Sequence, residues 1–222
     1  IIESAAKGNE FTYFVLLDPE GNSAGSKNLK RIDFFEEELG FTAGYFAALE
    51  TKTGSIGFLG INEDEGFIKE LRRGFEFGVS EAKPSAKVHY EFSGDTDTGA
   101  KKAAGLLEDK GCDIIFAPAG RFSADIIDAA SKSKIIGCDI NQSYLSKEKV
   151  AASAIRHFDM ACYNAIKDML DGSFSESDDI EGGIKEGYLE FNIASDSGGE
   201  TESRMRKVYE ALSNGAIKIS DI

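Results

Sequence analysis

The chain has 222 residues, a formal charge of −14 with an isoelectric point near 4.6, and a hydrophobic share of 41%. That length builds one large core or two small ones. The acidic balance excludes a nucleic-acid polymer as partner, because such binders draw most of their affinity from clustered Lys and Arg.

The opening IIESAAKG reads as the middle of a helix, and further chain is expected upstream of Ile1. FTYFVLLD (11–18) reads as a strand ended by Pro19 and the polar loop GNSAGSKN (21–28). FFEEELGFTAGYFAALE (34–50) follows as a helix with Phe35, Leu39, Thr42, Phe46 and Leu49 facing inward. SIGFLG (55–60) is the next strand, and EGFIKELRRGFEFGVSEA (65–82) is a helix with Phe67, Ile68, Leu71, Phe75 and Val79 on one face. KVHYEFSG (87–94) alternates as a half-buried strand, and TGAKKAAGLLEDKG (98–111) is a helix closed by Gly111. CDIIFAPAG (112–120), SADIIDAAS (123–131) and KIIGCD (134–139) form a strand, helix, strand unit, with VAASAI (150–155) as a further short strand. A charged helix, ETESRMRKVYEALSNG (200–215), comes last. Apolar strands separated by amphipathic helices predict a doubly wound α/β fold, its parallel sheet covered on both faces.

In such sheets ligands collect beyond the carboxyl ends of the strands. Three runs end there in polar or glycine-containing groups: Gly60 to Glu63, Ala119 to Ser123 and Asp139 to Gln142. Asp139 therefore either caps the turn after its strand or faces a ligand, and the three edges together favour a pocket. Enzyme chemistry is not visible: GxGxxG and GxxxxGK[ST] are missing, and no GxSxG elbow places a serine on a strand-to-helix turn. His157 begins the helix HFDMACYNAIKDML and reads as a surface or capping residue, while the run Glu36, Glu37, Glu38 reads as acid complementing a helix N-terminus. Cys112, Cys138 and Cys162 form no CxxC pair and stand at no ligand spacing from His89 or His157, so buried thiols are expected, with no metal and no cofactor. No apolar run approaches the roughly 18 residues of a membrane span.

TKTGSIGFLG, a helix containing RRGFEFGV, then CDIIFAPAG, IIGCDINQ, AASAIRHFDMACYNAIKDMLDG and GGIKEGYLEF occur in one order. With IDFFEEELGFTAGYFAALETKTG ahead of them, this series resembles the basic membrane protein family of ABC-transporter solute receptors, which includes the purine nucleoside receptor lipoproteins. The resemblance runs from Phe11 into the C-terminal helix.

It implies a type I periplasmic-binding-protein fold: two doubly wound parallel-sheet lobes, joined by three crossovers, with ligand held between them. Residues 1–52 are then the last part of lobe 1, 53–155 lobe 2, 156–182 a return to lobe 1, and 183–222 a closing strand and helix. The family's opening strand and helix have no counterpart before Ile1, so the first lobe is expected to be incomplete in this chain. The implied function is non-enzymatic: binding of a small polar ligand, a purine nucleoside, and delivery to an ABC permease. The implied setting is extracytoplasmic, with a lipid anchor outside this sequence as the only tie to the membrane. The alternative is a ligand-sensing regulatory domain of the same fold acting on a protein partner.

The resemblance also nominates residues. The aspartate ending the strand that matches KIIGCD grips ribose hydroxyls in nucleoside-binding relatives, which places Asp139 first. Arg156 stands where relatives usually carry a lysine near the sugar, and a guanidinium is not equivalent to an ammonium there. The loop after CDIIFAPAG, glycine-rich in relatives, contributes Gly120, Arg121 and Phe122, with Phe122 stacking on a base, narrowing the cleft or, equally, packing in the core. Asn62, after SIGFLG, completes the expected set, and Ile61 takes the place of a second glycine.

Overall fold

The computed structural model describes residues 1–19, 26–175, 179–194, 197–217 and 219. The expected loop 21–28 lies largely outside these residues. A short helix α1 (Ile2–Gly8) leads into β1 (Phe14–Leu17) and β2 (Leu29–Phe34), after which α2 (Glu36–Glu50) crosses to a second sheet. There follow β3 (Ser55–Gly60), α3 (Gly66–Ala82), β4 (Lys87–Phe92), α4 (Asp97–Asp109), β5 (Ile114–Phe116), α5 (Ser123–Ala129), β6 (Lys134–Asp139) and β7 (Val150–Arg156). Then come α6 (Phe158–Leu170), β8 (Ile180–Gly182), β9 (Leu189–Ile193) and α7 (Gly199–Ser213).

The strands form two sheets. The smaller has the order β1-β2-β8, all parallel; the larger has the order β4-β3-β5-β6-β7-β9, parallel except for β9, which runs antiparallel to β7. β3, β5 and β6 are nearly continuous apolar runs because both faces of the large sheet are covered. The pairings Gly60 with Phe92, Phe116 with Ile136 and Asp139 with Ile155 bring the carboxyl ends of these strands to one edge.

β2 is absent from the sequence expectation because Lys30 occupies a core position. Lys30, Ile32 and Phe34 alternate on one buried face, and the lysine is tolerated because its Nζ meets Asp168 of α6 at 2.6 Å. On sequence alone residues 1–52 belong to the first lobe. Instead α2 packs against α3, α7 and the large sheet, so the first crossing lies at Phe35. The other crossings are at His157 and at residues 183–188. The three are laced together: Phe35 N–H donates to the Gly182 carbonyl (3.1 Å), His157 N–H to the Tyr188 carbonyl (2.8 Å), and Ile184 N–H to Glu38 Oε2 (2.9 Å).

α2 and α3 meet backbone to backbone along a glycine seam. A Cβ on Gly40 or Gly44 would overlap the carbonyl oxygen of Leu71 or Phe75, and one on Gly74 or Gly78 that of Glu37 or Phe41. Each helix thus presents two glycines four residues apart to the other, and only glycine permits this approach. Gly44→Ala and Gly74→Ala are each expected to lower the unfolding free energy by about 1–3 kcal/mol. Gly105→Ala, in α4 with nothing within 4 Å of the new methyl, should raise it by about 0.5–1 kcal/mol. Urea denaturation of the three variants checks this, and similar small effects at all three positions would contradict the seam.

Candidate ligand-binding site

Four strands of the two sheets run toward one place. β7 ends on Arg156 and β6 on Asp139, while Asp18 follows β1 and Glu36 follows β2 at the start of α2. Arg156, only 8% exposed, is the hub. Its Nε and Nη2 both donate to Asp139 Oδ1, at 3.0 and 2.8 Å, and its Nη1 donates to Asp18 Oδ2 at 2.8 Å and to Glu36 Oε1 at 3.4 Å. The rings of Phe67 and Phe158 have their centroids 4.1 and 4.6 Å from the guanidinium carbon. Burial works against the guanidinium's charge, but Asp139 and Asp18 more than offset it and hold the pKa above its ordinary value.

Among the described residues, two non-glycine positions have positive φ: Asp18 at +48° and Asp139 at +72°. Aspartate tolerates this region better than most residues, yet such conformations persist only where the surroundings fix them. Here both strained residues terminate parallel strands, and both pair with the same arginine. Each has a second carboxylate oxygen, Asp139 Oδ2 and Asp18 Oδ1, with no hydrogen bond among the described residues.

Glu36 is 3% exposed, and burial pushes its pKa up to about 8. Its own backbone N–H and Arg156 pull the other way, while Asp18 and Glu70 add to the rise. Arg156 fails to keep Glu36 ionised because two closer carboxylates already share that single positive charge. Asp33 and Glu70 are also raised, each mainly by burial and then by neighbouring carboxylates.

The other expected site residues lie elsewhere. Gly120–Phe122 forms one 3₁₀ turn that rolls the Phe122 ring, 5% exposed, into the core containing Leu59, Ala119 and Ile126, which is the core placement the sequence leaves open beside base stacking and cleft narrowing. Arg121 is exposed, pairs with Asp95 at 2.7 Å and lies over the Phe122 ring. Asn62 is exposed and its Oδ1 accepts from Asp64 N–H (3.2 Å), in a loop bordering an open hollow of about 720 Å³ that Asp95 also lines. Gly120 has φ +51°, and a Cβ there would meet Ile61 at 3.5 Å. No hydrogen bond, ion pair or ring contact among the described residues joins these four to Arg156.

Asp18 and Glu36 were missed on sequence. LLDP repeats the pattern of an aspartate after an apolar strand but reads as a turn before Pro19, and Glu36 is masked by its acidic neighbours. The three glutamates differ in role: Glu37 pairs with Arg73, Glu38 holds the third crossing, and Glu36 lies under Arg156. Cys138 is buried beside Asp139, and burial raises its thiol pKa far above the ordinary value. Among the described residues no cluster of His, Cys, Asp and Glu suits a metal ion, and no helix is long and apolar enough to cross a membrane.

Residues 1–221 match the Bmp family, described as ABC transporter substrate-binding protein PnrA-like. Basic membrane protein D of Borreliella burgdorferi is 34% identical over 205 residues, covering 87% of this chain and 59% of that protein. The ABC transporter nucleoside-binding protein BmpA of Lactococcus lactis subsp. cremoris is 24% identical over 237 residues, covering 97% of this chain and 66% of the relative. The chain thus spans 59% of the length of the first of these relatives and 66% of the second. A solved ABC transporter system solute-binding protein from Aeropyrum pernix K1 superposes with a TM-score of 0.84 at 17% identity, covering 98% of this chain and 73% of that one. One from Conexibacter woesei gives 0.74 at 17% identity, covering 97% and 73%. With one parallel sheet, a second that is parallel except for β9, and three crossings, these likenesses identify the type I periplasmic-binding-protein fold.

Glu36 gives the site a pH signature. Its folded pKa, about 8, lies above the ordinary glutamate value of 4.5. Its contribution is therefore complete below the unfolded pKa, shrinks as pH rises through the window between them, and is lost above the folded pKa. The stability of Glu36→Gln relative to wild type should accordingly rise between pH 5 and pH 8 by on the order of a few kcal/mol. Denaturant titrations of both proteins at the two pH values measure this, and parallel pH profiles would show that Glu36 is ionised in the folded state.

Proposed function

Because the chain belongs to the Bmp family of PnrA-like ABC transporter substrate-binding proteins, we propose that its cleft receives a purine nucleoside outside the cytoplasmic membrane for delivery to an ABC permease. The observation that carries this reading is Asp139: a strained, half-buried carboxylate at the carboxyl end of a sheet strand, held through one oxygen by Arg156. Its second oxygen is left to accept hydrogen bonds. A ribose diol presents two hydroxyl donors side by side, and bonds from them to a carboxylate are charge-assisted and among the stronger kind.

The name of the Lactococcus relative, a nucleoside-binding protein, supports the same ligand class. Phe67 and Phe158 supply apolar surface beside the carboxylates. Binding would act by population shift: a ligand touching residues from both sheets stabilises the arrangement in which they approach, and the laced crossings are the hinge. Selectivity follows from buried polar groups left unpaired when a ligand without the matching hydroxyls enters. The reading requires no chemical step.

Isothermal calorimetry with adenosine, inosine and guanosine tests it. Asp139→Ala is expected to weaken the bound nucleoside by more than about tenfold, the loss associated with one hydrogen bond to a charged group. Unchanged affinity in the variant would remove Asp139 from the site; wild-type protein that binds none of the three would remove the nucleoside.

A further inference from the structure

The carboxylate of Asp139 keeps one direction only if the backbone beneath it is held. The Cys138 carbonyl accepts from Ile140 N–H at 2.9 Å, across Asp139, whose φ is +72°. A three-residue turn with positive φ at its centre is the rare and strained form of the γ-turn, and such a conformation persists only where the surroundings fix it. Arg156 fixes the side chain through two hydrogen bonds to Oδ1. A different group fixes the backbone.

That group is Gln142, at the end of the run IIGCDINQ and 5% exposed. Its Nε2 donates to the same Cys138 carbonyl at 2.9 Å and to Ser123 Oγ at 3.1 Å, and its backbone N–H donates to Ser153 Oγ at 3.0 Å. Ser123 opens α5 and donates in turn to the Gly120 carbonyl at 2.8 Å, while Ser153 is a fully buried residue of β7. The loop after β5, the end of β6 and the middle of β7 are thus tied together through one residue. Its side chain lies flat over Gly137: a Cβ there would come within 2.6 Å of Gln142 Oε1, and its three nearest heavy atoms would all belong to Gln142. Oε1 is itself buried without a hydrogen bond among the described residues, a cost that an apolar side chain filling the same space would avoid.

We propose that Gln142 is a positioning residue for Asp139: its carboxamide braces the Cys138 carbonyl, holds the strained turn closed and keeps the second carboxylate oxygen of Asp139 directed at the hydroxyl groups of the ligand. It sets affinity without touching the ligand. This rests on the receptor reading above and names what maintains its main contact. Without the brace, the Cys138 carbonyl retains the Ile140 N–H alone, and Asp139 relaxes toward the negative φ that residues other than glycine favour. Relaxation turns the carboxylate away from Arg156 and from the hydroxyls together. The spacing within GCDINQ follows from this division of labour: Gly137 makes room, Asp139 contacts the ligand and Gln142 braces the turn between them.

Gln142→Met keeps the length of the side chain and removes both of its donors. Calorimetry with adenosine and with 2′,3′-dideoxyadenosine, which lacks the hydroxyls assigned to Asp139, measures the effect, and a thermal melt shows whether the variant is folded. Adenosine should bind about three- to tenfold more weakly, the loss expected of one neutral hydrogen bond, with the dideoxy compound unchanged. Gly137→Ala, whose methyl would displace the carboxamide, should give the same selective loss by an independent route, and it replaces Gln142→Met if that variant does not fold. A crystal structure of the unliganded variant should show Asp139 out of the left-handed region or parted from Arg156. Asp139 still at φ near +72° with both bonds to Arg156 would overturn the proposal. So would an adenosine affinity that is unchanged, or that falls equally with that of the dideoxy compound, the mark of a general loosening of the fold. If wild type binds neither nucleoside, the receptor reading falls by itself, and the crystal structure of the variant supports or overturns the brace in the same way.

Discussion

A guanidinium can be sunk between two sheets only where carboxylates meet it, because an unpaired buried charge costs several kcal/mol. Arg156 imposes that condition on this fold. Its partners come from the ends of β1 and β6 and from the first turn of α2, so those elements must arrive at one point from both sheets. The result is a charge-rich cleft at the place where α/β sheets collect ligands. Removing the arginine would leave Asp18 and Asp139 without their shared counter-ion. Such a hub is better suited to fixing directions than to adding net stability, since the desolvation of buried ion pairs offsets much of their attraction.

The remaining architecture delivers these groups. Glu36 reaches the underside of Arg156 because α2 starts directly after the first crossing and lies deep against α3, a depth that the glycine seam permits. The three crossings share hydrogen bonds, and Phe34 packs edge-on against Phe158 with ring centroids 5.1 Å apart. The crossings and the site are therefore adjoining structures: Phe158 lies against both Phe34 and the guanidinium. A ligand that moves Arg156 or its partners therefore acts directly beside the crossings that join the two sheets.

Much of this was legible from residues alone where burial dictates composition. β3 and β6 match their apolar runs at both ends, because a strand covered on both faces has no reason to admit polar residues. β2 was hidden by Lys30, whose partner Asp168 lies 138 residues away, and β8 is three residues long. No local pattern carries either. Asp139 stood out as a polar group at the end of a buried strand. Asp18 has the same signature but precedes a proline, which made a turn the simpler reading. Phe122 is ambiguous in AGRFS, equally a loop aromatic or a core residue, and only the 3₁₀ turn places it in the second core. The placement of α2 with the large sheet likewise depends on contacts with α3 and α7, which lie beyond any local window.

Asp139, aimed by the buried Arg156, is the ligand contact proposed for the cleft. A crystal structure of the protein with its bound nucleoside tests this most directly. The expected result is ribose hydroxyl oxygens about 2.5–3.0 Å from the Asp139 carboxylate, with Arg156 still paired to it. A nucleoside seated away from Asp139, or gripped by Arg156 after it has left that carboxylate, would contradict it.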